Sequence, residues 1–85
     1  MSSAREAYQA IRTFLRKQDD AILTAAFQDI QKRHETGLMY GGALIELRKQ
    51  LDFHLNEMTT NPLKALEDAI CFELAERYCK LNGEK

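Results

Sequence analysis

Residues 43–81 read ALIELRKQLDFHLNEMTTNPLKALEDAICFELAERYCKL, two helical patterns with a sharp boundary between them. The boundary is Thr59-Thr60-Asn61-Pro62. Asn61 suits an N-cap, and Pro62 falls at the first helical position, where its missing N–H is harmless. Before the boundary, Leu44, Leu47, Leu51, Leu55 and Met58 recur at spacings of three and four, which predicts a helix over 43–58 with a narrow leucine seam. After it, Leu63, Leu66, Ile70, Leu74, Tyr78 and Leu81 predict the inward stripe of a helix over 62–81, closed by Asn82-Gly83.

The same period continues toward the N-terminus. Ser3 and Glu6 fit a capping box, and Ala4, Ala7, Tyr8, Ile11, Phe14 and Leu15 fall within an arc of ~120°, predicting a helix over 4–18. Ile22, Leu23, Ala26, Phe27 and Ile30 predict another over 20–35, with Asp19 or Asp20 at its N-cap and Gly37 just past its end. In one continuous helical frame these two stripes are displaced by roughly 100°. A break near Gln18–Asp20 follows, although neither Gly nor Pro enforces it. Four amphipathic segments with short connections predict an all-α, compact four-helix domain, as a bundle or in orthogonal packing.

Composition agrees. Ala, Leu, Glu, Lys, Gln and Arg abound in the 85 residues, Val is absent and Pro occurs once. A net charge of −1 supplies no global field for nucleic acid or an anionic membrane. The start, Met-Ser-Ser-Ala-Arg-Glu, lacks the apolar stretch of a signal peptide, and the uncharged, largely apolar run Leu38 to Ile45 is too short to span a bilayer. These features predict a cytoplasmic protein. Cys71 and Cys79, on one helix, would sit about 12 Å apart, beyond disulfide reach, and read as free thiols.

Some surface remains once the core is assigned. Phe72, Ala75 and Cys79 lie roughly 120–180° from the Leu63–Leu81 stripe, and Phe53 points away from the Leu44–Leu51 seam. A helix apolar on two sides is either central in its own domain or covered by another chain. Arg5, Arg12 and Arg16 align on one side of the first helix with Lys17 nearby, and Glu6 is the one acid in that region. Such a stripe is a solvated face or a grip for phosphates or an acidic protein surface. The Leu38–Gly42 connection, with Tyr40, is a tight crossing or a partner-facing loop.

Catalytic patterns are missing from the sequence. There is no His-Glu-x-x-His, no Cys-x-x-Cys and no phosphate-binding Gly spacing, and no metal or cofactor is predicted. His54 sits at the edge of the leucine seam, as a packed or surface histidine, while Cys71 borders an inward stripe where thiols are normally inert. A helix-turn-helix would need a three- or four-residue turn at Gly37, and the connection there is longer. The residues therefore predict a non-enzymatic protein-interaction module: a small helical adaptor, inhibitor or regulator, with homodimerisation as one way to cover its apolar faces. Phe72, Cys79, Phe53 and Tyr40 are the expected apolar contacts, and Arg5, Arg12, Arg16 and Lys17 the basic ones. A nucleic-acid-binding regulator using the basic face is the alternative.

Overall fold

The computed structural model describes residues 2–38 and 42–83, with only the backbone of residues 2 and 3. The order is α1 (Ser2–Arg16), α2 (Asp20–Thr36), α3 (Ala43–Met58) and α4 (Pro62–Gly83). Among the described residues there is no strand, and the fold is an all-α four-helix domain. Its first helix starts earlier than expected: α1 takes in Ser2, so Ser3 is inside the helix rather than capping it. At the other end α1 stops at Arg16. There Lys17 N–H and Gln18 N–H donate to Phe14 and Leu15 carbonyls at 3.2 and 3.0 Å, the tightened turn that often finishes a helix.

What enforces the break that neither Gly nor Pro marks is Arg77, more than fifty residues away. Its Nη2 reaches the carbonyl oxygens of Leu15 (3.2 Å), Arg16 (3.2 Å) and Gln18 (2.9 Å), and its Nη1 pairs with Asp20. A guanidinium at this point satisfies orphan carbonyls and complements the negative end of the helix dipole. Asp19 is the N-cap of α2 by backbone geometry, without a side-chain capping bond.

The α2–α3 connection depends on two glycines. Gly37 adopts a left-handed φ of 75° and donates to Arg33 O at 2.8 Å, closing α2. Gly42 has φ 142°, and a Cβ there would lie 2.9 Å from Asp29 Oδ2. That same oxygen accepts Leu44 N–H at 3.1 Å, so a carboxylate from α2 caps the start of α3. Asn61 precedes α4 as expected, its Oδ1 accepting Lys64 N–H at 3.4 Å.

The core draws on all four helices: Ile11 and Leu15, then Leu23, Ala26 and Ile30, then Leu44, Leu47, Leu51 and Leu55 of the seam with Met58 half-buried against them, then Leu66, Ala69 and Ile70. α1 packs chiefly on α3, α2 on both α3 and α4, and the consecutive α1 and α2 meet least. The Cα extents are 39 × 35 × 17 Å. A thickness of 17 Å corresponds to about two helix layers, given axes about 8–10 Å apart.

The stripe expected on α4 holds only in part. Leu66 and Ile70 are buried and Leu63 and Leu74 half-buried, but Tyr78 is 68% and Leu81 72% exposed. Two causes combine. α4 has 22 residues against 15 to 17 in its neighbours, and among its described residues past Ile70 only Glu73 is buried. Moreover, each step of four residues turns about 40° around a helix, so the line Leu66–Ile70–Leu74–Tyr78 has rotated by about 120° when it ends. The same stripe-counting misplaces Tyr8 and Ile22, which are exposed at the edges of their helices.

Candidate docking face

At 100° per residue the direction in which α4 faces its own domain passes through Leu66, Ala69 and Ile70, and then through Glu73, Arg77 and Lys80 with Glu76 beside them. The second half of the helix therefore meets the domain with charge. Glu73 is buried between two arginines: Arg77 Nε donates to its Oε2 at 2.8 Å, and Arg12 Nη1 stands 3.1 Å from its Oε1. The Arg12 contact to Oε1 is an ion pair without hydrogen-bond geometry. Arg12 also donates to Glu76 Oε1 at 2.8 Å and to Ala69 O at 3.4 Å. For Arg77, the Glu73 hydrogen bond, opposed by burial and reinforced by Asp20, raises an already high pKa further.

With its charged side turned inward, the outer side of the same turns is apolar. Phe72, Cys79, Ala75, Tyr78 and Leu81 spread over about 180° of the helix circumference. All five are exposed. Phe72, Ala75, Glu76 and Cys79 line a shallow hollow of about 330 Å³. Leu74, Tyr78 and Leu81 line another against Thr24 of α2. Phe72 is 55% exposed, yet the Arg12 guanidinium lies 4.6 Å from its ring centroid. This cation–π contact holds one edge of the anchor in place while the rest faces outward.

The structure sorts the sequence-predicted contacts unevenly. Phe72 and Cys79 share one hollow. Phe53 is 69% exposed on α3, with its ring edge-on to His54 (centroids 5.5 Å apart, 73°), and it lines none of the hollows on α4. Tyr40 lies outside the described residues. Arg5, Arg16 and Lys17 are exposed and form no ion pair among the described residues. Arg12 requires a correction: only 5% exposed, it is held by Glu73 and Glu76 and does not belong to an outward-facing stripe. Tyr78 and Leu81, expected inward from the apolar stripe, are exposed instead. The i,i+4 pair Glu73–Arg77 was the available hint that charge lay on the other side.

A second buried carboxylate, Glu67, is held by Arg33 Nε at 2.7 Å and His34 Nε2 at 3.2 Å. Burial pushes its pKa up, but the hydrogen bonds and charges of Arg33 and His34 outweigh this and hold it below the ordinary value. The half-buried Cys71 thiol is pushed up by burial and by Asp68 and Glu67, which keeps thiolate scarce at neutral pH. Among the described residues no three His, Cys, Asp or Glu side chains converge to hold a metal, and no helix is long and apolar enough to cross a membrane. Comparison with protein-family models, curated proteins and solved structures finds no match to this chain.

Proposed function

We propose that this chain is a non-enzymatic docking module, a small adaptor, inhibitor or regulator that binds a protein partner through the outer side of α4. One observation carries the reading. The second half of α4 directs Glu73 and Arg77 toward its own domain and Phe72, Ala75, Tyr78 and Cys79 away from it, with Leu81 exposed at its end. An exposed apolar patch on a small domain is costly to solubility unless something covers it, and buried aromatics are the usual anchors of interfaces. Phe72, held against Arg12, is such an anchor with part of its ordering cost already met.

Selection of helical peptides from a random display library against the immobilised protein tests this. Peptides recovered on wild type should lose about thirtyfold or more in affinity on Phe72→Glu, the scale of a hot-spot residue, and keep their affinity on Phe53→Glu. Peptides insensitive to Phe72→Glu and to Ala75→Glu would place the docking surface elsewhere.

A further inference from the structure

We propose that the segment covering this face is an acidic amphipathic helix of a partner protein, its apolar stripe on Phe72, Ala75 and Cys79 and its flanking carboxylates on Arg16, Lys17 and Lys80. The inference rests on the docking reading above and adds the shape and charge of the occupant. The hollow beside Phe72 is not isolated. Phe72 and Glu76 also line a groove between α1 and α4 that Tyr8 and Arg16 border. Arg16 and Glu76 continue into a polar hollow at the α1–α2 corner, where Lys17 and Lys80 join them. The shared residues Phe72, Glu76 and Arg16 make these depressions neighbours in a row along the α1–α4 edge, together the channel meant below.

Charge along this channel is unbalanced. Its acids are engaged internally: Glu73 and Glu76 by Arg12, Glu73 and Asp20 by Arg77. Its cations are not. Arg16, Lys17 and Lys80 form no ion pair among the described residues, and Asp19 is the one carboxylate lining the corner hollow that is likewise unpaired. In a chain of net charge −1 the residues lining these hollows thus carry five cations against four acids, a surplus of one positive charge whose free members Arg16, Lys17 and Lys80 meet at the α1–α2 corner.

This decides among occupants. A second copy docked two-fold on the Phe72–Cys79 hollow would cover the apolar residues but bring no surplus of free carboxylates to Arg16, Lys17 and Lys80. Nucleic acid would satisfy the cations and leave the Phe72–Cys79 floor without an apolar partner. An acidic amphipathic helix satisfies both. The floor residues recur at i, i+3 and i+7, about 10 Å along the axis, the reach of two turns of an opposing helix.

The test uses three synthetic 20-residue helical peptides with one common Leu/Phe stripe, flanked by Glu, Gln or Lys. Their binding to the purified full chain is measured by fluorescence anisotropy at about 0.1 M salt. The Glu-flanked peptide should bind at least about tenfold tighter than the Lys-flanked one. The double variant Arg16→Glu/Lys80→Glu should reverse that order, and Ala75→Glu should abolish binding of all three while its thermal melt stays that of wild type. Equal binding of the three, or preference for the Lys peptide, overturns the acidic occupant and leaves the docking face standing. Binding by none of them, or binding indifferent to Ala75→Glu, overturns both. A wild-type dimer in light scattering that Ala75→Glu converts to monomer identifies the occupant as a second copy, and competition by duplex DNA identifies it as nucleic acid; either result overturns the inference.

Discussion

The two halves of α4 belong to one unbroken helix, yet they face the domain with opposite chemistries. Around Leu66, Ala69 and Ile70 the inward positions are apolar and packed, with one buried acid, Glu67, paired to Arg33 and His34 at their side. A turn further on, the inward positions are Glu73 and Arg77, matched to Arg12, Asp20 and the end carbonyls of α1. Apolar burial is non-directional and roughly proportional to area. The charged half gains little net free energy, because desolvation offsets most of the attraction, but its forked geometry is specific. The difference assigns the halves distinct roles. The first supplies stability; the second fixes how α1, α2 and α4 meet and leaves its apolar side unsatisfied by its own chain.

The largest effect should come from the packed half. Leu66→Ala removes a fully buried side chain where all surrounding positions are filled, and should cost about 4 kcal/mol, measured by urea unfolding. A loss below about 1 kcal/mol would mean that this half is looser than its burial implies. In the charged half, Glu73→Ala leaves Arg12 buried with Glu76 as its remaining partner and should cost about 3 kcal/mol. The double variant Arg12→Met/Glu73→Leu should recover most of that loss, since both buried charges go together. If the double variant is instead as unstable as Glu73→Ala, the pair contributes more than it costs and the contrast between the halves narrows.

Arg77→Met comes next, at about 2 kcal/mol, because it removes a cation from several acceptors at once while keeping the packing of the side-chain stem. Amide hydrogen exchange should rise locally at the end of α1 and the start of α2. Uniform exchange across the chain would show that Arg77 does not specifically hold that corner.

How legible this was in the sequence follows from the range of the signals. The leucine seam of α3, the Asn61-Pro62 start of α4 and the Gly37 end of α2 are local patterns, readable within a few residues, and all stand in the structure. The α1–α2 corner was readable only as a mismatch of stripes, because its cause is Arg77 from α4. Arg12 looked like part of a solvated stripe for the same reason: Glu73 and Glu76 are distant in sequence and adjacent in space. Of the outward face, Phe72 and Cys79 were found because they oppose the stripe. Tyr78 is not legible as outward because a ladder of four-residue steps drifts by about 40° per step, and Leu81 because its exposure comes from its place at the end of α4.

A smaller and conditional effect concerns Glu67, in the first half of α4. Arg33 and His34 hold its folded-state pKa below the ordinary 4.5. A depressed carboxylate contributes stability above its unfolded-state value and loses it as pH falls through the folded one. The midpoint of urea unfolding should therefore decline as pH drops below about 4.5, and Glu67→Gln should flatten that decline while lowering stability near neutrality. An acid limb unchanged by Glu67→Gln would assign it to other carboxylates.

The smallest effect is expected where a hydrophobicity pattern alone predicts a large one. Tyr78 and Leu81 continue the apolar ladder of α4, and if they were core, Leu81→Ser and Tyr78→Ser would each cost several kcal/mol. Both are mostly exposed, so each change should alter unfolding free energy by no more than about 0.5 kcal/mol. Serine is a poorer helix former than leucine, and part of even that small loss belongs to the helix itself. A cost above about 2 kcal/mol for either would mean that these side chains are enclosed in solution, by the chain's own fold or by a second copy. Repeating the measurement across a hundredfold range of protein concentration separates the two: only the cost of a self-interface depends on concentration.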